Sequence, residues 1–204
     1  MTLPAICTAL VGDADLTADT IVACAEQHPL LQWLRGDATR YELRGDAVRL
    51  ARHVLTGGGV IDLYDDRSAI TVWLPQPALA TRRPVFGAGG GFNPTPGYAD
   101  RATALADALP SSSIAGPQVR LLLVATEPQL RRTGRACALL EHRHAELDRT
   151  CVAATAYAFD EPTRALLHRH GYQDLGRHLL PDGMSCWTTY RPAGRSAPAR
   201  QEHQ

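Results

Sequence analysis

The chain has 204 residues, of which 45% are hydrophobic and 21% are charged. A sequence of this length and apolar content can bury a proper core, which excludes disorder as its main state. Lys plus Arg and Asp plus Glu both number 21, so no net charge favours nucleic acid or an acidic membrane surface. The basic residues are all Arg, and the lack of Lys excludes Schiff-base and P-loop chemistry.

The five cysteines are dispersed and form no Cys-x-x-Cys pair. An odd, scattered set is typical of reduced thiols in a cytoplasm rather than of a disulfide framework. The N-terminal segment lacks the basic start of a signal peptide, and no stretch approaches the ~20 apolar residues of a membrane span. We therefore expect a soluble, cytoplasmic protein that does not contact a membrane.

Apolar periodicity and turn residues predict an alternation of strands and helices in the first half of the chain. In chain order these are a strand at 3–11, helices at 17–27 and 37–55, a hairpin of strands at 60–64 and 69–74, an irregular stretch at 75–97 and a helix at 98–109. The first helix is predicted to stop near His28-Pro29. Pro75 is predicted to end the second hairpin strand, because proline cannot donate to a strand ladder.

The second half predicts a second group of alternating elements. They are a strand at 119–125, a helix at 133–149, a strand at 152–157, a helix opened by Asp160, and two strands at 172–180 and 184–190. The polar tail 193–204 is predicted to be disordered and dispensable. We therefore expect one α/β domain over 1–192, with a helical and loop embellishment at about 76–117 and helices on both faces of a mixed sheet.

The segment that carries chemistry joins the apolar strand at 119–125 to the helix that follows it. The N-terminus of a helix presents N–H groups without helical partners and a partial positive charge, which suits an anion and particularly a pyrophosphate. Gly134 lets the backbone approach such a ligand, and Arg131, Arg132 and Arg135 can add charge-assisted hydrogen bonds. Thr133 can either cap the helix or bond a phosphate oxygen.

This segment contains Arg131-x-x-Gly134-x-Ala136, preceded by Val124-x-x-x-Pro128, and it resembles the acyl-CoA pyrophosphate motif of the GNAT acetyltransferase superfamily. The helix that ends in His170-Gly171-Tyr172 resembles the helix, Gly-aromatic and strand ending of the same family. Two further segments, 69–75 and 180–192, resemble matching parts of puromycin N-acetyltransferase-like proteins. The resemblance spans about residues 15–192.

The resemblance implies a GNAT fold, with a mixed, mostly antiparallel sheet of about six or seven strands that splays at its centre. It also implies that the pantetheine arm of a donor enters the splay beside the central strand, and that an amine attacks the thioester directly. The donor-binding residues that it implies are Leu123, Val124, Ala125, Thr126, Arg131, Arg132, Thr133, Gly134, Arg135 and Ala136.

The expected catalytic residues depart from the family pattern. Leu167 stands where many members carry a general-acid Tyr, and Thr163 stands where an Asn is common. Tyr157 stands where the puromycin-acetyltransferase-like chains carry a Glu. Tyr157 and Asp160 remain as the catalytic candidates: Tyr157 either faces the substrate or packs in the core, and Asp160 either caps a helix or orients the acceptor.

Two other features of the sequence, the paired histidines and a Gly-rich run, resemble functional motifs. His142 and His144, like His168 and His170, are spaced i, i+2, which on a helix points the two side chains apart. We therefore expect solvated helix faces and no metal site. The Gly-rich run 87–91 neither follows a strand nor opens a helix, so it is not a dinucleotide fingerprint; it is either an acceptor loop or a flexible connection.

The leading hypothesis is an N-acyltransferase that uses acetyl-CoA or another acyl-CoA and a small-molecule amine, in antibiotic resistance or specialised metabolism. A second hypothesis takes the acyl group from the phosphopantetheine of an acyl carrier protein in natural-product biosynthesis. A third is a catalytically inactive acyl-CoA-binding protein. We expect a monomer or homodimer without a nucleic-acid partner.

Overall fold

A computed structural model describes residues 5–25, 27–36, 40–76, 116–180 and 183–194, and six positions between 100 and 107 that are helical. The strands are β1 (Ile6–Thr8), β2 (Val60–Tyr64), β3 (Ala69–Gln76), β4 (Gln118–Thr126), β5 (Ala153–Ala158), β6 (Gln173–Leu179) and β7 (Ser185–Arg191). The helices are α1 (Ala14–Ala25), α2 (Pro29–Arg35), α3 (Arg40–Thr56), α4 (Arg135–Arg149) and α5 (Glu161–Arg169). Short 3₁₀ turns precede α1 and follow β4.

The seven strands form one sheet in the order β1-β2-β3-β4-β5-β7-β6. All neighbours are antiparallel except β4 and β5, which are parallel. This arrangement confirms the predicted mixed, mostly antiparallel sheet. A parallel pair needs a crossover connection, and α4 supplies it.

The two parallel strands part in the middle of the sheet. They are paired from Gln118 opposite Ala153 to Leu121 opposite Ala156, and no further. Beyond that point β4 continues to Thr126 while paired with β3 alone. The predicted splay between the central strands is thereby confirmed.

A β-bulge in β4 marks the place where the strands part. Val72 of β3 lies opposite Leu123, whereas the next residue, Trp73, lies opposite Leu121, so Leu122 is the additional residue. Leu122 and Leu123 both pack in the same hydrophobic cluster, which shows that the alternation of side chains is reset there. Because a bulge sharpens local twist, it accounts for the divergence of β4 from β5.

Two hydrophobic clusters cover the two faces of the sheet. One lies under α1, α2 and α3 and includes the fully buried Leu34 and Ile61. The other lies under α4 and α5 and includes Leu140 and Leu167, also fully buried. Helices on both faces agree with the predicted layers. None of the helices in the described part of the chain is long and apolar enough to cross a membrane.

The N-terminal elements differ from the predicted ones at a proline. Pro29 was expected to follow the end of a helix, whereas it is the first residue of α2. Proline suits the first helical position, because its missing N–H would have no helical partner there. The predicted strand at 3–11 is also shorter, since a 3₁₀ turn begins at Val11, and α1 begins at Ala14 rather than near residue 17.

Pro75 lies inside β3 rather than beyond its end, opposite Val119 of β4. The neighbouring strand β2 begins at Val60, opposite Trp73. Beyond Trp73, β3 therefore has a neighbour on one side only, and a proline is tolerated where its nitrogen faces an open edge. The prediction that Pro75 ends the strand was wrong for this reason.

The start of the predicted tail is packed against the domain. The backbone N–H of Gly194 donates to Asp148 Oδ1 over 2.9 Å. Residues 195–204 lie outside the described residues, as do the Gly-rich run 87–91 and most of the predicted irregular stretch 75–97.

Candidate functional site

A narrow cleft lies where β4 and β5 part. It is lined by His28, Leu121, Leu122, Leu123, Val124, Tyr157, Phe159, Thr163 and Leu167. Most of these side chains are aliphatic or aromatic, so the walls suit an apolar chain more than a charged group. Of the predicted donor residues, Leu123 and Val124 line the cleft, and Ala125 and Thr126 follow them on β4.

The backbone of β4 offers hydrogen bonds along this cleft. From Leu123 to Thr126, β4 has β3 as its only strand neighbour. Alternate N–H and C=O groups of such a strand point to the side without a neighbour. An extended ligand that carries amides can pair with them as an additional strand would.

The loop after β4 places a helix N-terminus at the end of this strand. It is anchored by the N–H of Glu127, which donates to the carbonyl of Ser68 over 2.8 Å. Gly134, with φ +88°, is the N-cap of α4, and no side chain caps the helix. A Cβ placed on Gly134 would meet nothing within 4 Å. The first-turn N–H groups of α4 are therefore available to an anion.

Thr133 does not cap the helix, which was one of the two roles predicted for it. Its hydroxyl donates to the carbonyl of Leu130 over 2.6 Å and accepts from Arg135 Nη1 over 2.9 Å. It therefore holds the loop, and Gly134 takes the N-cap position. The prediction that the helix begins at Thr133 was wrong, since α4 begins at Arg135.

The three loop arginines divide into two groups. Arg135 donates to Asp66 Oδ2 over 2.8 Å, and its guanidinium lies 5.1 Å from the centre of the Tyr64 ring. Arg131 and Arg132 are exposed, and neither forms an ion pair within the described ranges. Among the described residues, Arg135 thus has an acidic partner, whereas Arg131 and Arg132 have none.

Tyr157 lines the cleft and also packs against the cluster under α1 to α3. The Arg120 guanidinium lies 4.9 Å from the centre of its ring. Burial raises the pKa of the Tyr157 phenol, and the charge of Arg120 opposes that rise only in part. The phenol is therefore protonated near neutral pH, which suits a hydrogen-bond donor or an acid better than a base.

Asp160 caps α5, which confirms one of its two predicted roles. Its Oδ1 accepts from the N–H of Thr163 over 2.7 Å. Its charge opposes the effect of burial on the pKa of the His28 imidazole. Leu167, at the expected position of a general-acid Tyr, is fully buried and supplies only hydrocarbon to the cleft wall.

His28 is a cleft residue that the sequence did not single out. Its Nδ1 atom is buried and has no hydrogen-bond partner in the described part of the chain. Burial lowers the pKa of the imidazole from its ordinary value of 6.5. In the sequence, a His before a Pro is typical of a turn, and no pattern places it beside β4.

The four helix histidines do not share the solvated environment that was predicted. His144 is only 5% exposed, and its Nε2 lies 3.1 Å from the hydroxyl of Tyr172. His168 Nε2 lies 2.8 Å from Asp174 Oδ1. The prediction was wrong for His144, because that position of α4 faces the sheet. No group of three or more His, Cys, Asp or Glu in the described segments is placed to hold a metal ion.

No protein-family model and no curated protein matches the chain. Solved structures do match over nearly its whole length. An acetyltransferase from Corynebacterium glutamicum, described as histone acetyltransferase HPA2 and related, is similar with a TM-score of 0.66 at 20% identity, over 96% of this chain and 99% of its own. A mosquito arylalkylamine N-acetyltransferase-like protein is similar with a TM-score of 0.65 at 10% identity, over 92% and 100%.

A Desulfovibrio desulfuricans protein assigned to the GNAT family is similar with a TM-score of 0.53 at 16% identity, over 92% of this chain and 99% of its own. Together these matches show that the chain has the α/β GNAT fold, as the resemblance of its motifs implied. At such identities the likeness concerns the fold alone.

Proposed function

We propose that the protein is an N-acyltransferase that moves an acyl group from acyl-CoA to the amine of a small molecule. The observation that carries the proposal is one continuous path along β4. A cleft with an open strand edge lies at Leu122 to Thr126, and an uncapped helix N-terminus lies at Gly134 just beyond the end of that strand. A pantetheine chain needs hydrogen-bond partners for its amides, and the phosphate at its end needs N–H donors. The open strand edge and the helix N-terminus supply these in the same order along the chain.

The phosphate end of the donor would meet the loop 131–136. Backbone N–H groups of the first turn of α4 and the exposed guanidinium groups of Arg131 and Arg132 supply its charge complement. Gly134 leaves open space where a side chain would otherwise stand. In this arrangement the backbone N–H groups of α4 are the main phosphate ligands, and the two arginines add positive charge.

The thioester would lie near the bulge at Leu122, where β4 leaves β5. A backbone N–H with no strand partner at that point can polarise the thioester carbonyl as negative charge develops on its oxygen. Holding the thioester and the amine together in a confined cleft supplies much of the rate, because it replaces a bimolecular encounter.

Direct attack by the amine is supported by the state of the buried thiols. Cys186 packs in the same cluster as the Tyr157 side chain, and burial raises the pKa of its thiol to about 12. Burial likewise raises the pKa of Cys24 to about 12. Such thiols carry almost no thiolate near neutral pH, so neither is suited to form an acyl-enzyme.

One observation favours the carrier-protein alternative. Because Arg135 is paired with Asp66, the loop offers two free guanidinium groups, which is closer to the need of one phosphodiester than of a pyrophosphate with a 3′-phosphate. The same two groups can face an acidic helix of a carrier protein. We retain CoA as the favoured donor, since the N–H groups of α4 also bind phosphate.

The proposal is tested by calorimetry with acetyl-CoA, followed by a thiol-release assay over a panel of primary amines. We expect acetyl-CoA to bind, and thiol release to require an amine. Binding without turnover of any amine would support the inactive acyl-CoA binder instead. Failure of both acetyl-CoA and an acetylated carrier protein to bind would contradict the proposal.

A further inference from the structure

A row of polar side chains crosses the sheet beside the cleft, on the face that carries the cluster under α1 to α3. Its members are Arg120 of β4, Tyr157 of β5, Thr188 of β7 and His178 of β6, which are four consecutive strands. Thr188 lies opposite Tyr157, and His178 lies opposite Cys186, which packs in that cluster as Tyr157 does. The Arg120 guanidinium lies over the Tyr157 ring. Because paired residues of neighbouring strands share a face, the four side chains lie on one side of the sheet.

Three members of this row have polar atoms without partners. Arg120 Nε, Thr188 Oγ1 and His178 Nε2 are buried and form no hydrogen bond among the described residues. Thr188 is only 6% exposed. Buried polar atoms without partners are costly and uncommon in native proteins. Three of them on one face, next to a cleft, are what a site for a polar ligand provides.

Arg120 also lacks a counter-charge. It is partly buried, yet it forms no ion pair within the described ranges. Other partly buried arginines have acidic partners, as Arg143 has in Asp62 and Arg191 has in Asp148. A positive charge that is partly removed from water without an anion is unfavourable, so an anion supplied by a ligand would stabilise this side chain.

The four strands supply no such anion. Their one acidic residue is Asp174 of β6, which is bonded to Arg164 and His168 of α5 on the other face of the sheet. Arg120 Nη1 and Nη2 form no hydrogen bond among the described residues either, and unlike Nε they are not buried. These two atoms are therefore the end of the guanidinium that a ligand can reach.

We infer that Arg120 binds the carboxylate of the acceptor, and that the acceptor is therefore an amino acid. The inference rests on the proposed function. A planar guanidinium donates two parallel hydrogen bonds to a carboxylate. The other arginines of these strands, Arg177 and Arg191, contact Trp187 and Asp148 on the other face. A phosphate monoester has nearly two negative charges near pH 7, so the single charge of Arg120 suits a carboxylate better.

Arg120 stands at the right place for an acceptor group. The pairing of β4 with β5 ends at Leu121 opposite Ala156, so Arg120 lies one residue before the strands part. It lies two residues, or about 7 Å of strand, from Leu122, beside which the thioester is proposed to lie. An amino acid whose carboxylate is bound by Arg120 can therefore direct its amine toward the thioester. The Thr188 hydroxyl remains available to another polar group of the acceptor.

The test compares a panel of L-amino acids with their primary amides as acceptors, with acetyl-CoA as the donor. Each amide keeps the amine and the side chain but lacks the negative charge. With rates expressed per unprotonated amine, we expect kcat/KM of the preferred amino acid to exceed that of its amide by about tenfold or more. Arg120→Gln should abolish this preference by raising KM for the amino acid. It should leave the rate with the amide and the affinity for acetyl-CoA unchanged.

Arg177→Gln is the matched control. Arg177 also lies over an aromatic ring, that of Trp187, but on the other face of the sheet. We expect this variant to retain the preference of the wild type for amino acids. Arg120→Lys should retain part of that preference, because it keeps the charge but loses the planar fork.

The outcomes separate this inference from the proposed function. If the wild type acetylates amides as well as amino acids, or if Arg120→Gln slows both equally, the role of Arg120 is overturned while the transferase stands. A wild type that binds acetyl-CoA but acetylates no amino acid likewise overturns it. The wild-type comparison needs no substitution, so it decides even where Arg120→Gln does not fold. Absence of acetyl-CoA binding would overturn the proposed function, and this inference with it.

Discussion

Arg135 and Asp66 join the first turn of α4 to the β2–β3 turn through a hydrogen bond of 2.8 Å. The bonds that Asp66 accepts from Ser68 and from Arg135 lower the pKa of its carboxyl to about 2. Because the pKa of Asp66 is lowered by folding, the ion pair contributes its full stabilisation above the ordinary pKa of Asp. That stabilisation is lost only as the pH falls toward 2. Arg135 therefore has a charged partner in Asp66 at every pH near neutrality.

The three loop arginines should therefore respond differently to neutralisation. We expect Arg132→Gln to lower acetyl-CoA affinity by about tenfold or more without changing the melting temperature, because it removes a charge-assisted bond from an exposed side chain. Arg135→Gln should change that affinity less and lower the melting temperature instead. Calorimetry in low and high salt checks this, since screening should weaken the effect of Arg132. A larger affinity loss for Arg135→Gln would show that it leaves Asp66 for the donor.

Gly134→Val should weaken acyl-CoA binding by ~1–3 kcal/mol, because a Cβ would stand where the phosphate approaches and leave N–H groups unmet. Valine is also strained at φ +88°. Gly58 provides a matched control, since it has φ +76°, open space around its Cβ position and a place in the turn between α3 and β2. Gly58→Val carries the same strain but should leave the calorimetric affinity unchanged. Equal affinities in the two variants would refute a phosphate site at this loop.

The sequence predicts the residues along the donor-binding strand and loop better than it predicts the residues around the acceptor. The strand, loop and helix around Gly134 are local in sequence, so apolar patterning and one motif are enough to place them. The partner of Arg135 lies 69 residues away in the chain, and the other residues that line the cleft with His28 follow it by more than 90 residues. Such long-range contacts leave no local pattern, which explains why the role of Arg135 and the position of His28 were not predicted.

The burial of His144 should make stability fall in mild acid. Burial lowers the pKa of its imidazole to about 3, whereas the unfolded chain binds the proton near 6.5. Between these values the unfolded state binds more protons, so stability falls as pH falls, by about 1.4 kcal/mol per pH unit. Urea unfolding at pH values on either side of 6 measures this slope.

His144→Phe should flatten that slope, whatever its effect on absolute stability through the lost contact with Tyr172. His142→Phe, two residues away on the exposed side of α4, should retain it. Equal slopes in the wild type and His144→Phe would mean that the buried imidazole titrates as it does in water.

The tail should be dispensable only in part. Deleting residues 195–204 should leave the melting temperature unchanged, because this polar segment has little apolar surface to pack against the domain. Deleting residues 193–204 removes the hydrogen bond from Gly194 to Asp148, which Arg191 also holds. We expect that longer deletion to cost about 1 kcal/mol, or roughly 2–4 °C in thermal unfolding. Equal melting temperatures would show that the Gly194 contact contributes nothing.

Donors with and without phosphate groups should react at different rates, and the difference identifies the natural donor. If CoA is the natural donor, acetyl-CoA should react with kcat/KM of about 10⁴ M⁻¹s⁻¹ or more, and S-acetylpantetheine, which lacks phosphate, far more slowly. Arg132→Gln should then lower kcat/KM for acetyl-CoA but not for S-acetylpantetheine, because the guanidinium has no phosphate partner in S-acetylpantetheine. The difference in kcat/KM between the two donors should therefore become smaller in this variant. A value for acetyl-CoA that stays orders of magnitude lower with every amine would favour the carrier. The missing Tyr at Leu167 is compatible with either donor, since a thiolate leaves near neutral pH with modest proton assistance.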